Sequence, residues 1–242
     1  MKDDIDRVLV VMAHPDDPEF GAGGTIARLA QEGKEVAYVV VTSGDKGSSE
    51  PDMVSDRLVV IREAEQRAAA DVLGVKEVVF LRHTDGEVVP NLRLRRDITR
   101  EIRRWRPDAV FTHNPTVFYT EGSINHPDHR AVGEATLASV FPTARDRLNF
   151  LEQELEGLES HKVKYVYMSF DPGATAYVDI SDSIETKIKS LYEHKSQIGN
   201  PEGLPKRIRE RSAEIAARGR EQGQAIREYA EAFRFVDMSP RS

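Results

Sequence analysis

Cysteine is absent from all 242 residues. That excludes disulfides and thiolate metal sites, so any bound metal must rely on His, Asp or Glu. Long hydrophobic runs are missing as well: none approaches the ~20 residues of a membrane helix. The opening MKDDID is acidic where a signal peptide is basic. A cytoplasmic chain with no membrane partner is therefore expected. Nor is there an excess of positive charge, since 34 Lys and Arg stand against 41 Asp and Glu for a net charge of −7. A general nucleic-acid binder carries a basic stripe that displaces counterions, and no nucleic-acid partner is expected here. Linkers, low-complexity stretches and repeats of solenoid period are also lacking, so one domain over 1–242 is the reading. What is present, 39% hydrophobic and 31% charged residues, is enough apolar material for a folded core.

The apolar pattern alternates between two periods. RVLVVMA (7–13) is a continuous apolar run ending at His14, as in a strand buried on both faces. Ile26, Leu29 and Ala30 then recur at helical spacing, with Gly33 as the terminating residue. The unit repeats. VAYVVVTS from Val36 is strand-like, and a helix from about Ser55 carries Ile61, Ala64, Ala68 and Val72 to Gly74. EVVFL (77–81) is a third strand; Leu94, Ile98, Ile102 and Trp105 mark a third helix that stops before Pro107; AVFTH (109–113) is a fourth strand. VKYVYMSF and TAYVDI predict two more strands, Ile184 to His194 a helix, and about 203–235 a charged helical segment in which Lys206–Arg227 is laced with i,i+4 pairs. Strands alternating with helices predict an α/β, doubly wound, Rossmann-like fold whose mostly parallel sheet has helices on both faces.

Ligands of such sheets sit beyond the carboxyl ends of the strands, and titratable residues gather there. His14, Asp16, Asp17 and Glu19 follow the first strand, Thr42, Ser43 and Asp45 the second, His83 and Asp85 the third, His113 and Asn114 the fourth. Thr42, Ser43, Asp45 and Asn114 are read as ordinary polar loop residues. The run His14-Pro15-Asp16-Asp17-Pro18-Glu19 packs three carboxylates and an imidazole into six residues, which repel unless a cation or solvent compensates. A second cluster, Asn125-His126-Pro127-Asp128-His129-Arg130, opens a helical segment with two histidines three apart. One His and one carboxylate from the first cluster plus one His from the second make three N/O ligands and leave an open position, the plan of a catalytic metal site. Zinc suits the set, and iron, cobalt and manganese accept the same donors. Spacing leaves open which of Asp16 and Asp17, and which of His126 and His129, would bind the ion.

Ala13–Glu19, Gly23-Gly24-Thr25 and His126-Pro127-Asp128-His129 resemble the signature of the LmbE-like (PIG-L) N-deacetylases. The likeness extends through TSGDKGS, IREAEQRAAADVLGV, TDGEV, HKSQ and YAEAFR, nearly the whole chain. The resemblance implies a Rossmann-like fold and one divalent ion per chain, zinc first, held by His14, Asp17 and His129. It implies Asp16 as general base, His126 as oxyanion stabiliser or acid, Asp128 orienting a neighbouring histidine, and Arg62 and Asp85 as substrate contacts. It also implies hydrolysis of an N-acetylated amino sugar to acetate and a free amine, and a homo-oligomer. In the commonest form of the motif Glu directly follows the second Asp; here Pro18 intervenes, which leaves Glu19 without an assigned role. His83, His113, His161 and His194 are read as packed or surface histidines.

Two other readings compete. The same metal machinery serves an amidase acting on a thiol-conjugate amide. Gly21-Ala22-Gly23-Gly24 before a helix suggests a dinucleotide fold, but HPDDPEF comes first and sets carboxylates where a pyrophosphate would be repelled.

Overall fold

The computed structural model describes residues 1–239; Pro240–Ser242 of the expected domain lie outside them. In chain order the elements are β1 (Arg7–Met12), α1 (Asp17–Gln31), β2 (Glu35–Thr42), α2 (Ser55–Leu73), β3 (Glu77–His83), α3 (Leu92–Trp105) and β4 (Ala109–His113). A short ribbon follows, β5 (Tyr119–Thr120) with β6 (Ser123–Ile124), and then α4 (Pro127–Ala138), α5 (Leu151–Leu155), β7 (Tyr165–Ser169), β8 (Ala176–Asp179), α6 (Ile184–Leu191), α7 (Leu204–Glu221) and β9 (Ala230–Asp237). Seven strands form one sheet in the order β3-β2-β1-β4-β7-β9-β8. The β1–β2, β2–β3, β1–β4 and β4–β7 pairs are parallel, and β9 runs antiparallel to both β7 and β8.

Alternation along β1 explains the two-sided core. Val8, Val10 and Met12 pack under α1, α2, α6 and α7, while Leu9 and Val11, followed by Ala13, face α3 and α4. A strand covered on both sides has no solvent face for polar residues, hence its unbroken apolar sequence. α2 stops where Gly74 turns left-handed at φ 80°, and α3 stops at Arg106, just before Pro107. No helix among the described residues is long and apolar enough to cross a membrane.

The charged segment expected over 203–235 divides. α7 ends at Glu221, and 230–237 is a strand inserted between β7 and β8. Its charges are paired, and one of them is buried. Glu231, 3% exposed, accepts the backbone N–H groups of Gly24 and Thr25 and pairs with Lys187, while Arg234 pairs with Asp171. Satisfied in this way, charged residues sit in a sheet that their composition argues against.

Candidate active site

Strand order reverses between β1 and β4, and at such a switch point the crossovers diverge and leave a crevice at the carboxyl ends. His14 leaves β1 and His113 ends β4 on either side of it. α4 begins at the same edge: His126 caps it, its Nδ1 accepting the Asp128 N–H at 3.2 Å, so that Asp128 and His129 lie in its first turn. The cap leaves Nε2 of a neutral His126 to carry the proton.

Two donor groups meet at His14. His14, Asp17 and His129 each bring a ligand-type atom within 4.8 Å of the others, and so do His14, Asp85, His126 and Asp128. His14 Nδ1 lies 3.2 Å from Asp17 Oδ2, and its Nε2 lies 3.1 Å from Asp85 and 3.3 Å from Asp128. His129 Nε2 is 3.3 Å from Asp17 Oδ1, and the His126 ring stands edge-on to His14 at 4.6 Å. Burial opposes charge on His14, yet Asp128, Asp17 and Asp85 outweigh it and push the imidazole up to about 12. The pocket thus strongly favours positive charge beside Asp17. An N/O donor set with surplus carboxylate fits a borderline divalent cation. Asp128 is the less available ligand, since its oxygens already accept the N–H groups of Gly86 and Val88.

Asp16 sits beside this cluster in an unusual conformation, φ 91° and ψ −31°, which costs a non-glycine residue about 1–3 kcal/mol. Burial and the adjacent Asp17 carboxylate raise its pKa, while Arg62 pulls it down. The carboxylate is 18% exposed and so reaches solvent. Arg62, 4% exposed, donates to Pro15 O at 2.7 Å, Gly44 O at 3.1 Å and Asp16 Oδ2 at 3.2 Å. Gly44 makes room for it: a Cβ there would lie 2.1 Å from the guanidinium.

The GlcNAc-PI de-N-acetylase (PIG-L) family model matches residues 9–140, from β1 through α4, the stretch that builds this crevice. The chain belongs to that family. A diacetylchitobiose deacetylase of Thermococcus kodakarensis is 33% identical to this PIG-L protein over 194 residues, covering 80% of this chain and 71% of the relative. An N,N'-diacetylchitobiose deacetylase from Pyrococcus horikoshii, solved with an inhibitor, superposes with a TM-score of 0.86 at 30% identity, over 97% of this chain and 85% of that one. GalB of Pseudomonas putida, a 4-carboxy-2-hydroxymuconate hydratase, reaches a TM-score of 0.80 at 22% identity, over 98% of both chains, and shares the fold alone.

Within this PIG-L fold the eight residues singled out from sequence gather around one crevice. Others join them. His113, 1% exposed, accepts the Ala13 N–H at Nε2 and stacks on His129 with centroids 4.1 Å apart. Burial, reinforced by His129 and His14 against the pull of Asp17, lowers it to about 4, so it supports His129 as a neutral ring. Glu19 and His194, both 0% exposed, are joined at 3.1 Å. Position at a strand end was the sequence signal for His113; His194 had only its place in HKSQ. His83 pairs with Asp97 away from the cluster. Gly21–Gly24 lies inside α1 rather than in a loop after β1, and a Cβ on Gly24 would lie 2.7 Å from Ile180. Close helix packing accounts for that glycine, and nothing in the geometry favours a dinucleotide.

Proposed function

We propose that this chain is a divalent-metal hydrolase that removes the N-acetyl group of an N-acetylated amino sugar or its glycoconjugate, releasing acetate and a free amine. The observation that carries the reading is the convergence of His14, Asp17 and His129, with Asp16 alongside and the proton-bearing Nε2 of His126 free of the helix cap. His14, Asp17 and His129 would hold the ion, zinc first, with iron or another divalent ion compatible. When bound, such an ion polarises a carbonyl and acidifies water.

Asp16 takes a proton from the attacking water as its oxygen bonds to the acyl carbon. His126 Nε2–H donates to the oxyanion that forms there. When the C–N bond breaks, the proton held by Asp16 passes to the amine, and acetate leaves. Asp128 fixes the His14 ring through Nε2, as carboxylates commonly orient metal-binding imidazoles. Asp85, 3.1 Å from His14 Nε2, would contact the sugar from beside that ring. Arg62 reaches the substrate side through Asp16.

Acetate release from N,N'-diacetylchitobiose, N-acetylglucosamine and its inositol and malate glycosides tests the reading, with a thiol-conjugate amide glycoside as contrast. Release from at least one acetyl sugar is expected; cleavage of the thiol conjugate alone would transfer the site to the amidase alternative. The cell compartment we infer is the cytoplasm. A homo-oligomer is the assembly we infer, because Phe118, Tyr119 and Ile124 are exposed together on and beside the β5–β6 ribbon.

A further inference from the structure

Three buried polar side chains behind the crevice have no place in the chemistry above. Gln66, in the middle of α2, is fully buried and bridges two parts of the first loop: its Oε1 accepts the Asp16 backbone N–H at 2.9 Å, and its Nε2 donates to Glu19 Oε1 at 2.9 Å. Those partners fix the amide orientation, since a flipped amide would set N–H against N–H and oxygen against carboxylate. Glu19 turns its other oxygen to His194 Nε2, 3.1 Å away in the turn that follows α6. The run therefore reads His194, Glu19, Gln66, Asp16 N–H, and it draws on the turn after α6, on α1 and on α2 to reach one backbone amide.

That amide belongs to the residue with the left-handed backbone. Asp16 at φ 91° is not glycine, and such a conformation persists only where its surroundings over-determine it. Arg62 holds the preceding carbonyl and one carboxylate oxygen; Gln66 holds the N–H between them. Burying Glu19 is costly unless both its oxygens are partnered, as they are.

We propose that Gln66, Glu19 and His194 are positioning residues for catalysis, a buried brace that holds the Asp16 backbone so that its carboxylate meets the attacking water. The proposal rests on Asp16 being the base. These hydrogen bonds end on Asp16 rather than on His14, Asp17 or His129, and so the brace acts on turnover rather than on binding.

The test compares Gln66→Met, Glu19→Leu and the conservative Glu19→Gln with the wild type, each alone and in an Asp16→Asn background, reading kcat, KM, bound metal and melting temperature of the metal-loaded protein. Gln66→Met and Glu19→Leu are expected to lose about 10–100-fold in kcat with metal content and KM near wild type. Glu19→Gln keeps both hydrogen bonds if His194 accepts at Nε2, and is expected to recover most of the loss. In the Asp16→Asn background the Gln66→Met effect should vanish, because residues acting through one group are not additive. Wild-type kcat in Gln66→Met, loss of metal in step with kcat, or full additivity with Asp16→Asn would each overturn the brace. Wild-type kcat in Asp16→Asn alone would instead remove the base assignment on which it rests.

Discussion

At the scale of single residues, the histidines show how surroundings decide a role that residue type leaves open. His161 is half-buried, with Nε2 2.7 Å from the Pro107 carbonyl oxygen. Burial, helped by Arg106, depresses it below its ordinary value of 6.5. A histidine held low in the folded state makes no difference above the unfolded pKa, where both states are neutral. As pH falls through about 6.5 the unfolded chain takes up the proton first, and stability is lost until the folded pKa is reached. Urea midpoints between pH 7.5 and pH 5 should therefore fall less steeply for His161→Gln than for the wild type; parallel curves would deny the shift. His14, His126 and His129 were legible because they stand in motifs with carboxylates. The pairing of Glu19 with His194 was not: they lie 175 positions apart in the chain, and no local pattern announces a buried pair that only tertiary packing creates.

Among the elements, the strands and helices of the first half follow from period and punctuation, because each β-α unit shows its apolar run, its helical stripe and its stop. The second half is less transparent. β9 carries Glu231 and Arg234, whose partners come from α6 and from the turn after β7, so its charge suggested a solvated helix until those partners were known. Arg103 follows the same logic inside α3. It is 1% exposed and donates to the backbone carbonyls of Ala144, Phe150, Thr143, Asp146 and Asn149 at 2.8–3.4 Å. It thereby ties down a segment with little regular structure. Arg103→Met should cost about 2–4 kcal/mol, since hydrogen bonds from a charged donor are the stronger ones and the carbonyls left behind are partly buried. Chemical denaturation checks this, and a loss under ~0.5 kcal/mol would show the loop to be self-supporting.

On the scale of the whole molecule, one sheet serves two ends. Its middle is a two-sided apolar core, and its carboxyl edge collects residues from β1, the β3–α3 loop, β4 and α4 into a single crevice at the point where strand order reverses. Sequence reached that edge because His14, Asp85 and His113 follow or end strands whose apolar runs are plain, and His126, Asp128 and His129 form a local cluster at a helix start; spacing could not rank the donors, since Asp16 and Asp17 are adjacent carboxylates that only the fold gives different partners. The same whole-molecule view bears on assembly. Exposed Phe118, Tyr119 and Ile124 should be covered in a homo-oligomer, and sedimentation should show mass rising with concentration toward a fixed multiple. A concentration-independent monomer would refute it.

The most direct test is elemental analysis of purified protein together with acetate release, on the wild type, His129→Ala and Asp16→Asn. Expected are about one divalent ion per chain and acetate release in the wild type, loss of both in His129→Ala, and an ion retained by Asp16→Asn with kcat reduced by roughly 10²–10⁴-fold. A His129→Ala protein that keeps its ion and its rate would show that His14, Asp17 and His129 do not form the metal-binding heart of a deacetylase.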